Sequence, residues 1–163
     1  MNKLERIAVA LFGLALALSM ALNVALIGRL KEESEMPPIH LSRRISANEL
    51  HHLLSEKFPY ARIFITDEWY YLISKRDFDR LLAYDKTDCH RYIRVIYDCD
   101  DFAFDFWRNI TRHYHIAMGV AFVLTGKGAH AINFYVDENC SVYLIEPQSD
   151  RYVQYDFVYQ LLF

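Results

Sequence analysis

With 163 residues and a formal net charge of −3, the chain has room for one globular domain, and its 18 basic residues form no block of the kind that nucleic acid requires. Nucleic acid is therefore excluded as a partner. The apolar fraction of 53% is raised by the N-terminal segment and does not describe the rest of the chain, which is rich in Tyr and Phe.

The run 7–28 has no charged side chain, and its polar content is confined to Ser19 and Asn23. It meets the roughly 20 apolar residues that a membrane-spanning helix needs. Lys3 and Arg6 precede it, and Glu32, Glu33 and Glu35 follow Arg29 and Lys31, a bias that predicts N-in/C-out topology. A secretory signal cleaved near Ser19 to Ala21 is the alternative, and would make the protein secreted. The chain thus divides into an N-terminal transmembrane anchor or uncleaved signal over 1–30, a linker over 31–42 stiffened by Pro37 and Pro38, and a domain over 43–163.

Within that domain, Ser46 and Glu49 form a capping box that predicts a helix start. Leu50, Leu53, Leu54 and Phe58 give the helix one apolar stripe, and Pro59 closes it. Residues 61–65 and 69–73 read as short strands, and 74–84 as a second helix with Phe78, Leu81 and Leu82 turned inward. The segment 91–97 fits a strand or an extended loop equally well.

From Cys99 the spacing changes. Cys99, Ala103, Phe106 and Ile110 recur at helical period, with Phe102 and Trp107 widening the face, so this helix belongs in the middle of a domain. Strands are predicted at 116–124, 129–136 and 141–145, joined by hairpin-like connectors, with a last one at 152–155. The expected fold class is α+β, a central Cys-bearing helix packed on an antiparallel sheet.

Three residues of this layout carry chemistry. Cys99 falls at a helix N-terminus, where free N–H groups and the macrodipole favour a thiolate. His130 begins a strand at the sheet end that such a helix can meet, whereas His113 and His115 lie roughly 20 Å along the same helix. Glu146 ends the next strand, where it would fix the imidazole tautomer. Gln148, together with the Cys99 N–H, would donate to an oxyanion or position substrate.

Each residue also has a plain structural reading: a buried thiol, a hairpin histidine, a strand-end acid. Asp98, Asp100 and Asp101 surround the thiol, and helix capping alone would account for them. Their charge opposes a thiolate, a conflict that a bound Ca²⁺ would remove. The cysteines Cys89, Cys99 and Cys140 are odd in number. A Cys89–Cys140 bridge would leave Cys99 free, and a Cys89–Cys99 bridge would abolish its chemistry.

The segments DCDDFA, GAHAINF and IEPQ resemble the papain-like agglutinin C-terminal domain family, the calcium-dependent cysteine protease domain of the fairy-ring mushroom agglutinin. More distantly they resemble bacterial transglutaminase-like cysteine peptidases. The resemblance implies a papain-like or transglutaminase-like fold over 43–163 and a Cys99–His130–Glu146 triad acting on a peptide or amide substrate, with Ca²⁺ as cofactor. It implies no lectin activity. The expected function is a membrane-tethered cysteine peptidase or amidase. The alternatives are an inactive binding module of that fold and a transglutaminase-like acyltransferase.

Overall fold

The computed structural model describes the backbone of residues 3–34 and 36–163, and the side chains of residues 3, 12–26 and 36–163. The chain divides into two compact units, Met1–Met36 and Pro37–Phe163. Helix α1 (Lys3–Ser34) occupies the first. The expected membrane span 7–28 lies partly outside the residues whose side chains are described. Among the described residues no helix is long and apolar enough to cross a membrane. The expected transmembrane anchor, its N-in/C-out topology and the localisation built on that run are corrected accordingly.

The second unit holds β1 (Leu41–Ser46), α2 (Ala47–Lys57), β2 (Arg62–Phe64), β3 (Trp69–Ile73), α3 (Lys75–Tyr84) and α4 (Cys99–Thr111). It continues with β4 (Met118–Thr125), β5 (Gly128–Val136), β6 (Val142–Glu146), β7 (Arg151–Val153) and β8 (Val158–Leu162). Helix α2 starts where Ser46 Oγ accepts the Glu49 N–H at 3.3 Å and Glu49 Oε2 accepts the Ser46 N–H at 2.9 Å. It stops at Phe58, ahead of Pro59, and buries Leu50 and Leu54. In α3, Ser74 caps the helix through the Asp77 N–H, and Phe78, Leu81 and Leu82 face inward.

A six-stranded sheet runs in the order β2-β8-β4-β5-β6-β7, and β1 pairs with β3 in a separate two-stranded sheet. All pairs in the larger sheet are antiparallel except β2 with β8. The expected all-antiparallel sheet is therefore corrected. The sequence reading had no partner for the short run at 62–64, because β8, which supplies it, was not foreseen. Strand β1 was not expected and begins in the last two residues of the expected linker, and the expected strand at 116–124 begins two residues later. Ile116 instead makes a parallel bridge to Tyr71, with the Ala117 N–H donated to the Tyr71 carbonyl at 2.8 Å.

Helix α4 lies on this sheet and buries Phe102, Ala103, Phe106 and Ile110. Ala103 packs with Val120 of β4 and Ala131 of β5, small residues that let the helix approach closely. Asn133, fully buried, donates to the carbonyls of Ala103 (2.9 Å) and Gly119 (3.2 Å), tying helix to sheet. Gly119 is required: a Cβ there would stand 2.1 Å from the Leu162 carbonyl oxygen of β8. Beyond α4, the buried rings of Phe78 and Tyr135 stack at 3.6 Å. Each such ring contributes about 1.5–3 kcal/mol by burial. The result is a rigid platform that fixes the start of α4 against the ends of β5 and β6.

Candidate functional site

The segment 91–97 is a loop with one isolated bridge, Ile93 to Tyr97, and Val95 sits at a φ of 71°. That turn delivers the chain to the start of α4. The Asp98 carboxylate accepts the Val95 N–H at 3.0 Å, and the Asp98 N–H is donated to Asp101 Oδ2 at 2.9 Å. Asp98 and Asp101 are thus spent on backbone groups that a helix end leaves open. Cys99 follows as the first helical residue and is partly buried.

The three acids beside the thiol have separate fates. A hydrogen bond from Asp100, and then the Val95 N–H, hold the Asp98 carboxyl below its usual range. The same bond to Asp98, and then burial, raise Asp100. Ligand atoms of Asp98, Cys99 and Asp100 lie within 4.8 Å of one another, and Asp101 is outside that group. Two carboxylate oxygens and a soft sulfur from contiguous residues do not fit calcium, which takes about 6–8 oxygen ligands.

His130 lies near the start of β5, opposite Val123 of β4, and Glu146 is the last residue of β6. The hairpin brings His130 Nε2 to 2.6 Å from Glu146 Oε2, with the two side chains 20% and 17% exposed. Glu146 Oε1 accepts the Gln148 N–H at 3.3 Å, so both carboxylate oxygens are engaged. Because the carboxylate can only accept, Nε2 carries a hydrogen, and in the neutral imidazole Nδ1 is then the acceptor nitrogen. The Tyr155 ring stands edge-on to His130, 6.4 Å between centroids. Burial, and then the Glu146 charge, push the Tyr155 hydroxyl up.

Cys99, His130 and Gln148 line one cleft of about 650 Å³, walled by Tyr92, Tyr155 and the Gly126-Lys127 turn. The turn gains its shape from Gly128 at a φ of 120° and from Thr125 Oγ1, which donates to the Gly128 carbonyl at 2.9 Å. The structure therefore brings Cys99, His130, Glu146 and Gln148 to one end of the sheet. Tyr92 and Tyr155 were not foreseen as cleft residues. Their only sequence signal is the general abundance of Tyr, which does not tell a cleft tyrosine from the others.

All three cysteines are free, so neither disulfide pairing considered for Cys89 forms. His115 has a structural role: Nε2 donates to the Trp69 carbonyl at 2.6 Å, and its ring stacks on Tyr70.

A ricin-type β-trefoil lectin C-terminal domain family matches residues 44–163. No curated relative matches in sequence. Among solved structures, a chain described as the PSL1a-E64 complex is 22% identical, with a TM-score of 0.65, over 76% of this chain and 52% of that one. The Polyporus squamosus lectin bound to a human-type influenza-binding epitope, Neu5Aca2-6Galb1-4GlcNAc, is 21% identical, with a TM-score of 0.63, over 76% of this chain and 50% of that one. The chain spans about half the length of these structures, and at this identity the likeness concerns the fold.

These matches correct the sequence reading at several points. The papain-like or transglutaminase-like resemblance gives way to the lectin C-terminal domain, whose family match runs from 44 to 163. With it go the peptidase or amidase function, the inactive papain-like module, the acyltransferase, and the peptide or amide partner. The three short motifs were too brief to separate a local arrangement of Cys, His and Glu from the fold that carries it. The chain belongs to the ricin-type β-trefoil lectin C-terminal domain family.

Proposed function

We propose that this chain serves as the C-terminal module of a glycan-binding protein of the ricin-type β-trefoil lectin class, and that the module's own chemistry resides in the Cys99 cleft. The family match over 44–163 supports the first part. The observation that carries the second is the 2.6 Å His130–Glu146 contact in the cleft that also receives Cys99. Cys99 is the nucleophile toward an electrophilic carbon, His130 takes the thiol proton on Nδ1, and Glu146 holds the ring and offsets the imidazolium charge. Gln148 positions the ligand.

The test is alkylation of the full chain by iodoacetamide, in which a sulfur–carbon bond forms, iodide leaves and the thiol proton passes to the base. Peptide mapping compares Cys99 with exposed Cys89 in the same sample. Cys99 is expected to react at least tenfold faster, and E64, the compound named with the PSL1a neighbour, is expected to protect it. Reaction at Cys99 no faster than at Cys89, with no protection by E64, overturns the nucleophile role.

A further inference from the structure

A groove of about 820 Å³ in the second unit does not contain Cys99 or His130. It runs from the C-terminal end of α2, at Lys57 and Phe58, along β6 and β7 to Gln154, Tyr155 and Asp156. Its volume falls in the usual range of small-molecule sites. Tyr155 lines this groove and the Cys99 cleft alike, so the two hollows share one wall.

The floor is aromatic and held in place. Tyr152 donates its hydroxyl to Asp79 Oδ1 at 2.5 Å, and Lys75 Nζ sits 4.1 Å from the ring centroid. Tyr143 packs edge-on to Tyr152 at 5.7 Å and stacks on fully buried Tyr135 at 5.1 Å. These side chains have little rotamer freedom left to lose, which lowers the cost of binding. Around the aromatic floor stand Lys57, Gln154 and Asp156: a cation, an amide and an anion at one rim.

That composition selects a ligand class. A lipid or other apolar ligand would make no use of the charge and hydrogen-bonding capacity of that rim. A polyanion would meet Asp156 and a chain of net negative charge. A pyranose presents an apolar C–H face to an aromatic ring and a periphery of hydroxyls that both donate and accept. Carboxylate, amide and ammonium side chains at the edge of an aromatic floor match both features.

We propose that the groove along β6 and β7 is a saccharide-binding subsite, with Tyr143 and Tyr152 as the floor and Lys57, Gln154 and Asp156 as the hydroxyl contacts. The choice of a sugar also draws on the lectin-class reading above. Through Tyr155 the subsite adjoins the Cys99 cleft.

The test is isothermal titration and ligand-observed NMR on the full chain, with Neu5Aca2-6Galb1-4GlcNAc, N-acetyllactosamine and maltotriose as probes. At least one probe is expected to bind, and the double variant Gln154→Ala/Asp156→Ala to weaken it tenfold or more. Both residues are exposed in the structure and lie outside the Cys99 cleft chemistry, so the melting temperature and Cys99 alkylation rate should stay at the wild-type values. No binding by wild type, or equal binding by the double variant, overturns the proposal. Slow Cys99 alkylation with intact sugar binding counts against the thiol reading and leaves the subsite standing.

Discussion

Helices α2 and α4 begin with the same device and end up with different roles. In each, an acidic residue at the third helical position returns an oxygen to the backbone N–H of the cap: Glu49 to Ser46 and Asp101 to Asp98, both at 2.9 Å. At α2 the first helical residue is Ala47, whose N–H is donated to the Glu68 carbonyl at 2.9 Å. At α4 that position holds Cys99, facing a cleft that contains His130. Acids at a helix start are therefore no mark of function by themselves. The informative residues are those that capping leaves over, Cys99 and Asp100 at α4 and none at α2.

The largest effect expected from breaking this contrast lies at His130. Replacing it with Ala removes the base but leaves the cap, so iodoacetamide alkylation of Cys99 should slow at least tenfold, within the ~10²–10⁴ range of general-base contributions. Glu146→Gln keeps the hydrogen-bonding shape while removing the charge, and should slow alkylation by about three- to tenfold. Thermal midpoints should move little, because both side chains border the cleft. Equal rates in wild type and His130→Ala would reduce α4 to the status of α2.

A smaller effect separates the two caps. Ser46→Ala and Asp101→Ala should each lower stability by about 1 kcal/mol in urea titrations. Only the second should also change Cys99 alkylation, because only there does the cap hold a thiol. A change in Cys99 alkylation after Ser46→Ala would mean that the thiol senses global loosening, and the contrast would be lost.

This contrast also shows what the sequence made legible. The α2 cap, the α4 face and the β4–β5–β6 order are local patterns of period and turn chemistry, and each stands near its expected place. Strand β8 was missed because its role is set by partners far away in the chain, β4 and β2, and nothing within 158–162 announces a parallel neighbour. Strand β1 was missed because Pro37 and Pro38 made the approach as far as residue 42 read as linker, and Ser46 was read only as a helix cap. The cleft's chemistry-bearing residues could be read because each sits at an element end. Its walls, Tyr92 and Tyr155, could not, because nothing in the sequence separates a tyrosine at a cleft from one in a core. The family was misjudged for a related reason: the segments DCDDFA, GAHAINF and IEPQ describe a local arrangement, while the matched family spans 44–163.

The smallest expected effect tests whether a carboxylate without a compensating partner behaves differently from one in a cap. Asp150 follows the turn after Glu146 at a φ of 55°, and its carboxyl is pushed up to about 7. Burial is the first cause, followed by the charges of Asp88 and Asp85, with Lys86 opposing. A carboxyl raised in the folded state contributes stability that is fully present below the ordinary value near 3.8 and is lost as pH rises to about 7. Asparagine tolerates the same left-handed backbone and cannot ionise. Asp150→Asn should therefore match wild type near pH 4, gain steadily as pH rises, and level off above pH 7. Because the side chain is partly exposed and screened, the plateau should be no more than about 0.5–1 kcal/mol. Urea midpoints at a series of pH values read this directly. A gain that is independent of pH would assign the effect to backbone preference, and the distinction between capped and uncapped acids would then rest on α4 alone.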